Sequence, residues 1–182
     1  MRKTSICLNT SLNLICLASI LTLSSSSIAV AQTTVVQTNV RHIQEDDRPI
    51  ATGVWVGDTL YLSGQLASPA TPADPVKGTP AVYGDTEAQT MSTLTKIQAT
   101  LKTEGLTLGD VVMMHVYLVG DPDKGNKLDF PGLMAAYTRF FGTKDQPNKP
   151  ARSAMQVAAL AAPWALVEIE VIAVKSSGKP AK

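Results

Sequence analysis

Apolar and polar positions along this chain repeat with two periods, and the switch between them outlines the fold. Strand-like patterning marks "TTVVQTNVRHI", rich in β-branched residues, and then "GVWVGDTLYLSG", where two short apolar runs flank Gly57-Asp58. A two-residue turn at those positions makes the second stretch a hairpin. The proline-rich "ASPATPADPVKGTPAVYG" predicts a surface loop. Helical spacing follows: Ala88, Met91, Leu94, Ile97, Gln98 and Leu101 trace one face, with Asp85 as N-cap, Glu87 in the first turn and Gly105 as the stop. "DVVMMHVYLV" is a nearly continuous apolar strand of the kind buried on both faces. "LDFPGLMAAYTRFFG" is a second helix with Pro131 near its start, where a missing N–H does no harm. Two last strands, "ARSAMQVAAL" and "ALVEIEVIAV", divide at Pro163. The order β-β-β-α-β-α-β-β predicts an α+β layer, a mixed sheet with both helices on one face.

The ends of the chain stand apart from this pattern. Met1, Arg2 and Lys3 precede an apolar run from Leu12 to Leu23, and Ala29-Val30-Ala31 fits a small-x-small cleavage site. Residues 1–31 read as a signal peptide cut before Gln32, since the apolar run falls short of the ~20 residues a membrane-spanning helix requires. The expected product is periplasmic or secreted, not membrane-bound after cleavage, with one domain over residues 32–175 and a disordered tail over 176–182. Both cysteines, Cys7 and Cys16, fall in the removed segment, so neither a disulfide nor a thiol nucleophile is expected in the mature chain.

Composition narrows the partners. The full chain has 16 Lys and Arg against 15 Asp and Glu, and two of the cations lie in the signal peptide. A near-neutral chain without a basic block or many aromatics is not patterned for nucleic acid. A small molecule, or another copy of the chain, is the expected partner. G-x-S-x-G, H-E-x-x-H, phosphate-loop and dinucleotide motifs are absent from the sequence. His42 and His115 are the only histidines, and without cysteines they predict no metal site. Ser63 reads as a turn hydroxyl, because no base is visible beside it.

One segment resists this bland account. Between Pro150 and Val174 an otherwise apolar stretch keeps Arg152, Glu168 and Glu170. Buried unpaired charge costs several kcal/mol, so these side chains reach solvent, pair, or await an ionic ligand. If the last two strands form a hairpin about Ala162-Pro163, Arg152 lies opposite roughly residue 173. Glu168 is then about five residues, or ~16 Å, further along. A salt bridge within the chain is not expected; a contact between chains would remove the difficulty.

The pieces "LYLSGQ", "GLTLGDVV", "AAYTRFF", "PARSAMQVAAL" and "VEIEVIAV", in this order and spacing, resemble the Rid family, also called the YjgF/UK114 family. The similarity covers about residues 49 to 175. It implies a chorismate-mutase-like fold assembled as a homotrimer with three clefts between subunits. It also implies hydrolysis of imines and enamines such as 2-aminoacrylate to 2-oxo acids and ammonia, with no metal or organic cofactor. By this resemblance Arg152 holds the substrate carboxylate, Glu168 positions water, and the Gly64 N–H, beside Ser63, assists with the carboxylate. Glu170 would be a structural charge. The chain departs from the family pattern at three cleft positions: Ile50 for a tyrosine, Met134 for an asparagine and Ala154 for a cysteine. The first two changes make the cleft more apolar and remove hydrogen-bonding groups, whereas the cysteine matters little if only its carbonyl is used. The alternative is a non-catalytic trimer that binds carboxylate metabolites or serves in stress, and it needs Arg152 but not Glu168.

Overall fold

The computed structural model describes residues 38–45 and 47–176. The predicted signal peptide, and most of the tail, lie outside the described residues. Six strands form one sheet: β1 (Val40–Ile43), β2 (Gly53–Val56), β3 (Thr59–Leu66), β4 (Val111–Val119), β5 (Ala151–Val157) and β6 (Val167–Val174). Helices α1 (Thr86–Thr103) and α2 (Phe130–Tyr137) complete the order expected from the sequence. In space the strands run β1-β2-β3-β6-β4-β5. Within the described part of the first predicted strand, Val40–Ile43 form β1, and residues 33–37 lie outside the described range.

Local chemistry accounts for the element ends. Val56 pairs with Thr59 across Gly57-Asp58, and Gly57 takes φ +59°, which a side chain would resist. Asp85 caps α1 by accepting from the Ala88 N–H at 2.9 Å, and Gly105 leaves the helix at φ +74°. Asp129 caps α2 through the Gly132 N–H at 3.0 Å, with Pro131 in the first turn.

The core lies between the helices and one face of the sheet. Leu60, Leu94, Ile97, Leu101, Met114, Leu118, Leu133 and Ile169 are fully buried there, each worth about 1.5–3 kcal/mol of apolar burial. The buried face of α1 differs from the expected one. Thr86, Gln89, Thr90 and Thr93 are buried beside Leu94, Ile97 and Leu101, while Ala88 and Gln98 face outward. Polar groups are tolerated because several are satisfied: Thr90 donates to the Thr86 carbonyl at 2.7 Å. The Gln89 amide donates to the Gly84 and Trp164 carbonyls and accepts from the Leu166 N–H.

Two further expectations about the sheet are corrected. β4 is not buried on both faces; Met114, Val116 and Leu118 enter the core, whereas Met113, His115 and Tyr117 are half-buried on the face without helices. Nor do β5 and β6 form a hairpin. β4 lies between them, parallel to β5 and antiparallel to β6. Central β4 can pair on both edges, and α2 supplies the crossover that a parallel partner requires. Arg152 therefore lies beside Met114 and, across β4, in line with Val171, not residue 173.

Candidate functional site

The expected site residues fall into two groups within one chain. Arg152 and Ala154 point to the helix side of edge strand β5, where Ala154 and Met134 pack against the core. Arg152 donates from both Nη1 and Nη2 to the Met134 Sδ, each at 3.4 Å. Its guanidinium carbon lies 4.4 Å from the Tyr137 ring centroid and 5.8 Å from that of Phe130. All three neighbours come from α2, whose turn spacing brings residues 130, 134 and 137 to one side. The aromatic faces stabilise the cation, but a thioether is a weak acceptor. None of the ion pairs among the described residues involves Arg152. Tyr137 feels both influences: burial pushes its phenol up, and the Arg152 charge partly opposes that.

Ile50, Ser63 and Gly64 form the second group. They line a cavity of about 310 Å³ with Arg48, Ala51, Leu66 and Lys96. Ile50 is 69% exposed, so this wall presents bare apolar surface. Ser63 donates to the Ala51 carbonyl at 2.7 Å, which ties the loop to the strand, and it lies inside β3 rather than in the turn expected from the sequence. The pairing of β3 with β6 slips between Leu62 and Gln65, placing Ser63 and Gly64 in a bulge. Bulges re-aim backbone groups out of the ladder. Glu168 lies directly against Gly64, so close that any Cβ at that position would overlap the carboxylate.

Glu168 and Glu170 point to the sheet face that carries no helix. Glu170 accepts from the Tyr117 hydroxyl at 3.2 Å and lies 2.9 Å from His115 Nδ1. His115 is thus a sheet residue partnered by Glu170. Burial, and then the nearby Glu170 charge, raise the Glu168 carboxyl above its ordinary range.

A single chain does not unite the two groups. Glu168 is aligned through Tyr117 with Met155, three residues beyond Arg152. Three residues along and two strand spacings across separate the two backbones by about 14 Å, and their side chains leave opposite faces of the sheet. Sequence reasoning missed Phe130 and Tyr137 around Arg152, although helical spacing from Met134 would have found them. It also missed Arg48 and Lys96 in the Gly64 cavity, which only the tertiary fold brings there. A larger hollow of about 490 Å³ beside the stacked Tyr83 and Trp164 rings contains none of the expected residues.

Comparison with known proteins places this arrangement. Residues 47–175 match the family described as Endoribonuclease L-PSP. A RutC family protein of Saccharolobus solfataricus is 40% identical over 128 residues, spanning 70% of this chain and 88% of its own. The 2-iminobutanoate/2-iminopropanoate deaminase of Salmonella typhimurium is 36% identical over 127 residues, 70% of this chain and 88% of its own. The crystal structure of E. coli TdcF with bound serine superposes with a TM-score of 0.56 at 29% identity, covering 75% of this chain and 99% of that one. The E. coli YjgF structure gives the same TM-score at 31% identity, covering 75% and 99%. The six-stranded mixed sheet with its two helices is the chorismate-mutase-like fold, and the chain belongs to the Endoribonuclease L-PSP family, the Rid or YjgF family whose strand and loop motifs it carries.

Proposed function

We propose that this protein hydrolyses reactive imines and enamines of amino-acid origin to 2-oxo acids and ammonia. The observation that carries the reading is Arg152, a half-buried guanidinium held by a thioether and two aromatic rings without a carboxylate among the described residues. An anionic ligand supplies the missing partner, and a planar carboxylate can take two parallel hydrogen bonds from the guanidinium. The similarity to a 2-iminobutanoate/2-iminopropanoate deaminase supports the reaction class.

The working unit in this reading is a homotrimer. Arg152 of one copy meets the Gly64 cavity and Glu168 of the next, which answers the opposite orientation of the two groups in one chain. Its interface includes the helix-free sheet face, where Tyr61 and Met155 are 48% and 42% exposed. Arg152 and the Gly64 N–H hold the carboxylate, aligning the imine carbon. Glu168 accepts a hydrogen bond from water and takes its proton as the oxygen bonds to that carbon. Glu168 returns that proton to nitrogen to give the carbinolamine, then relays the hydroxyl proton to nitrogen as C=O forms and the C–N bond breaks, leaving the 2-oxo acid and ammonia. An enamine first gains a proton on carbon and loses one from nitrogen to become the imine. The raised Glu168 pKa favours this exchange, because a base closer to neutrality accepts and returns a proton more readily.

Ile50 and Met134 favour a second reading, a non-catalytic trimer that binds carboxylate metabolites. An isoleucine side chain offers a substrate nitrogen no hydrogen bond, and a thioether offers only a weak acceptor. The test is imine hydrolysis by purified protein, with an amino-acid oxidase generating imines and semicarbazide trapping the remainder. Wild type lowers trapping, whereas Arg152→Ala and Glu168→Gln do not. If wild type has no effect but binds 2-oxo acids through Arg152, the binding protein is the correct reading.

A further inference from the structure

Arg152 is not the only cation at the proposed cleft. Lys96, half-buried on α1, lines the Gly64 cavity and donates to the Leu66 carbonyl at 2.8 Å. Arg48 lines the same cavity from the loop before β2. Arg48 is paired at 3.1 Å with Glu45, both in solvent. Lys96 has no such partner among the described residues, and an ammonium has two further N–H groups after the Leu66 bond. Burial, and then repulsion from Arg48, depress the Lys96 pKa, the sign of a cation held in a partly desolvated place without a counter-charge among the described residues.

Other features carry less. Arg41 and the Trp55 N–H both close on Glu104, so that cluster is satisfied internally. His115 and Tyr117 are engaged by Glu170. The Tyr83–Trp164 hollow has aromatic rings that stack on each other. Lys96 and Arg48 instead converge on space that adjoins Gly64 and Ser63.

We propose that the Lys96–Arg48 side of this cavity binds a second anionic group, so that the cleft selects substrates carrying two carboxylates. The imine derived from an acidic amino acid is the class that fits. Its α-carboxylate takes the Arg152 position, and its side-chain carboxylate takes the ammonium of Lys96, with Arg48 at the rim. This inference rests on the cavity being part of the substrate cleft. Lys96 dominates because it is the less solvated cation, whereas Arg48 is largely screened by water and Glu45. A monocarboxylate leaves Lys96 unmatched and gains nothing from it.

The test is calorimetric binding of 2-oxoglutarate and 2-oxobutanoate to the purified protein, beside trapping assays on imines made from glutamate and from 2-aminobutanoate. Wild type should bind the dicarboxylate about tenfold more tightly, and a charge-assisted contact is of that size. Lys96→Met should bring the ratio close to one, Arg48→Gln should lower it by less, and Lys96→Arg should restore most of it. Thermal melts confirm that each variant is folded; if Lys96→Met is not, Lys96→Gln and the Lys96→Arg rescue supply the comparison. Equal affinity for the two acids in wild type, or a preference that survives loss of the Lys96 charge, overturns the proposal. A dicarboxylate preference in binding without imine hydrolysis leaves this site standing and overturns the catalytic reading instead.

Discussion

Both terminal nitrogens of Arg152 lie 3.4 Å from the sulfur of Met134, one turn before Tyr137 on α2. A thioether orients the guanidinium but competes weakly for its N–H groups, so a carboxylate arriving from outside displaces little. In the proposed reading, the strength of the anion site thus depends on what residue 134 does not offer.

Met134→Glu tests that dependence. A carboxylate at this position would pair with Arg152 in partly desolvated surroundings and occupy the donors meant for a ligand. We expect affinity for 2-oxo acids to fall by about tenfold or more, the scale of one charge-assisted contact, with the fold retained. Met134→Leu should bind far more tightly than Met134→Glu. Titration calorimetry on both variants decides it, and comparable affinities would contradict the argument.

Gly64→Ala separates packing from backbone freedom. Gly64 has no positive φ, so alanine strains nothing locally. Its methyl group would nevertheless overlap the Glu168 carboxylate and drive that side chain away. Hydrolysis should drop by roughly 10- to 100-fold in kcat, with a smaller effect on carboxylate affinity, because misplacing a catalytic group by about an ångström is costly. Full activity in this variant would mean that Glu168 has no required position.

The pH profile carries a sign. In the proposed mechanism Glu168 must be ionised to accept the water proton, and burial together with Glu170 raises its pKa. Activity should therefore fail on the acid side at a higher pH than an ordinary glutamate would dictate. Glu170→Gln removes one of the two causes and should shift the acid limb downward. The stability contribution has the opposite preference: the fold favours protonated Glu168, so its contribution is greatest below the ordinary carboxylate range and is lost as pH rises through the raised pKa. Rate profiles and thermal melts against pH check both signs.

Stability away from the site should respond to Asp85. Its carboxylate caps the first turn of α1, the helix that carries Leu94, Ile97 and Leu101 into the core. Asp85→Ala should cost about 1 kcal/mol and lower Tm by about 3 °C, as expected for a domain of this size. Chemical denaturation measures the first figure and a thermal scan the second.

Much of this protein can be read in one dimension because its local signals agree. Apolar periodicity, Asp85, Asp129, Gly57 and Gly105 define element types and ends through short-range sterics and hydrogen bonds, which need no knowledge of the rest of the chain. The same holds for the helical spacing that brings Phe130, Met134 and Tyr137 to one side of α2. Arg152 stands out because a cation in an apolar strand requires a reason.

Strand neighbours are another matter. That β4 separates β5 from β6 follows from long-range pairing, and so does the alignment of Arg152 with Val171. The polar burial of Gln89 depends on carbonyls and an N–H up to 77 positions away. Lys96 looks like any solvent-facing helix residue in the sequence, and only the closure of α1 against the end of β3 brings its ammonium to the Leu66 carbonyl and the Gly64 cavity. Local propensities determine the pieces; the burial of the core against one sheet face decides which distant charges share a place.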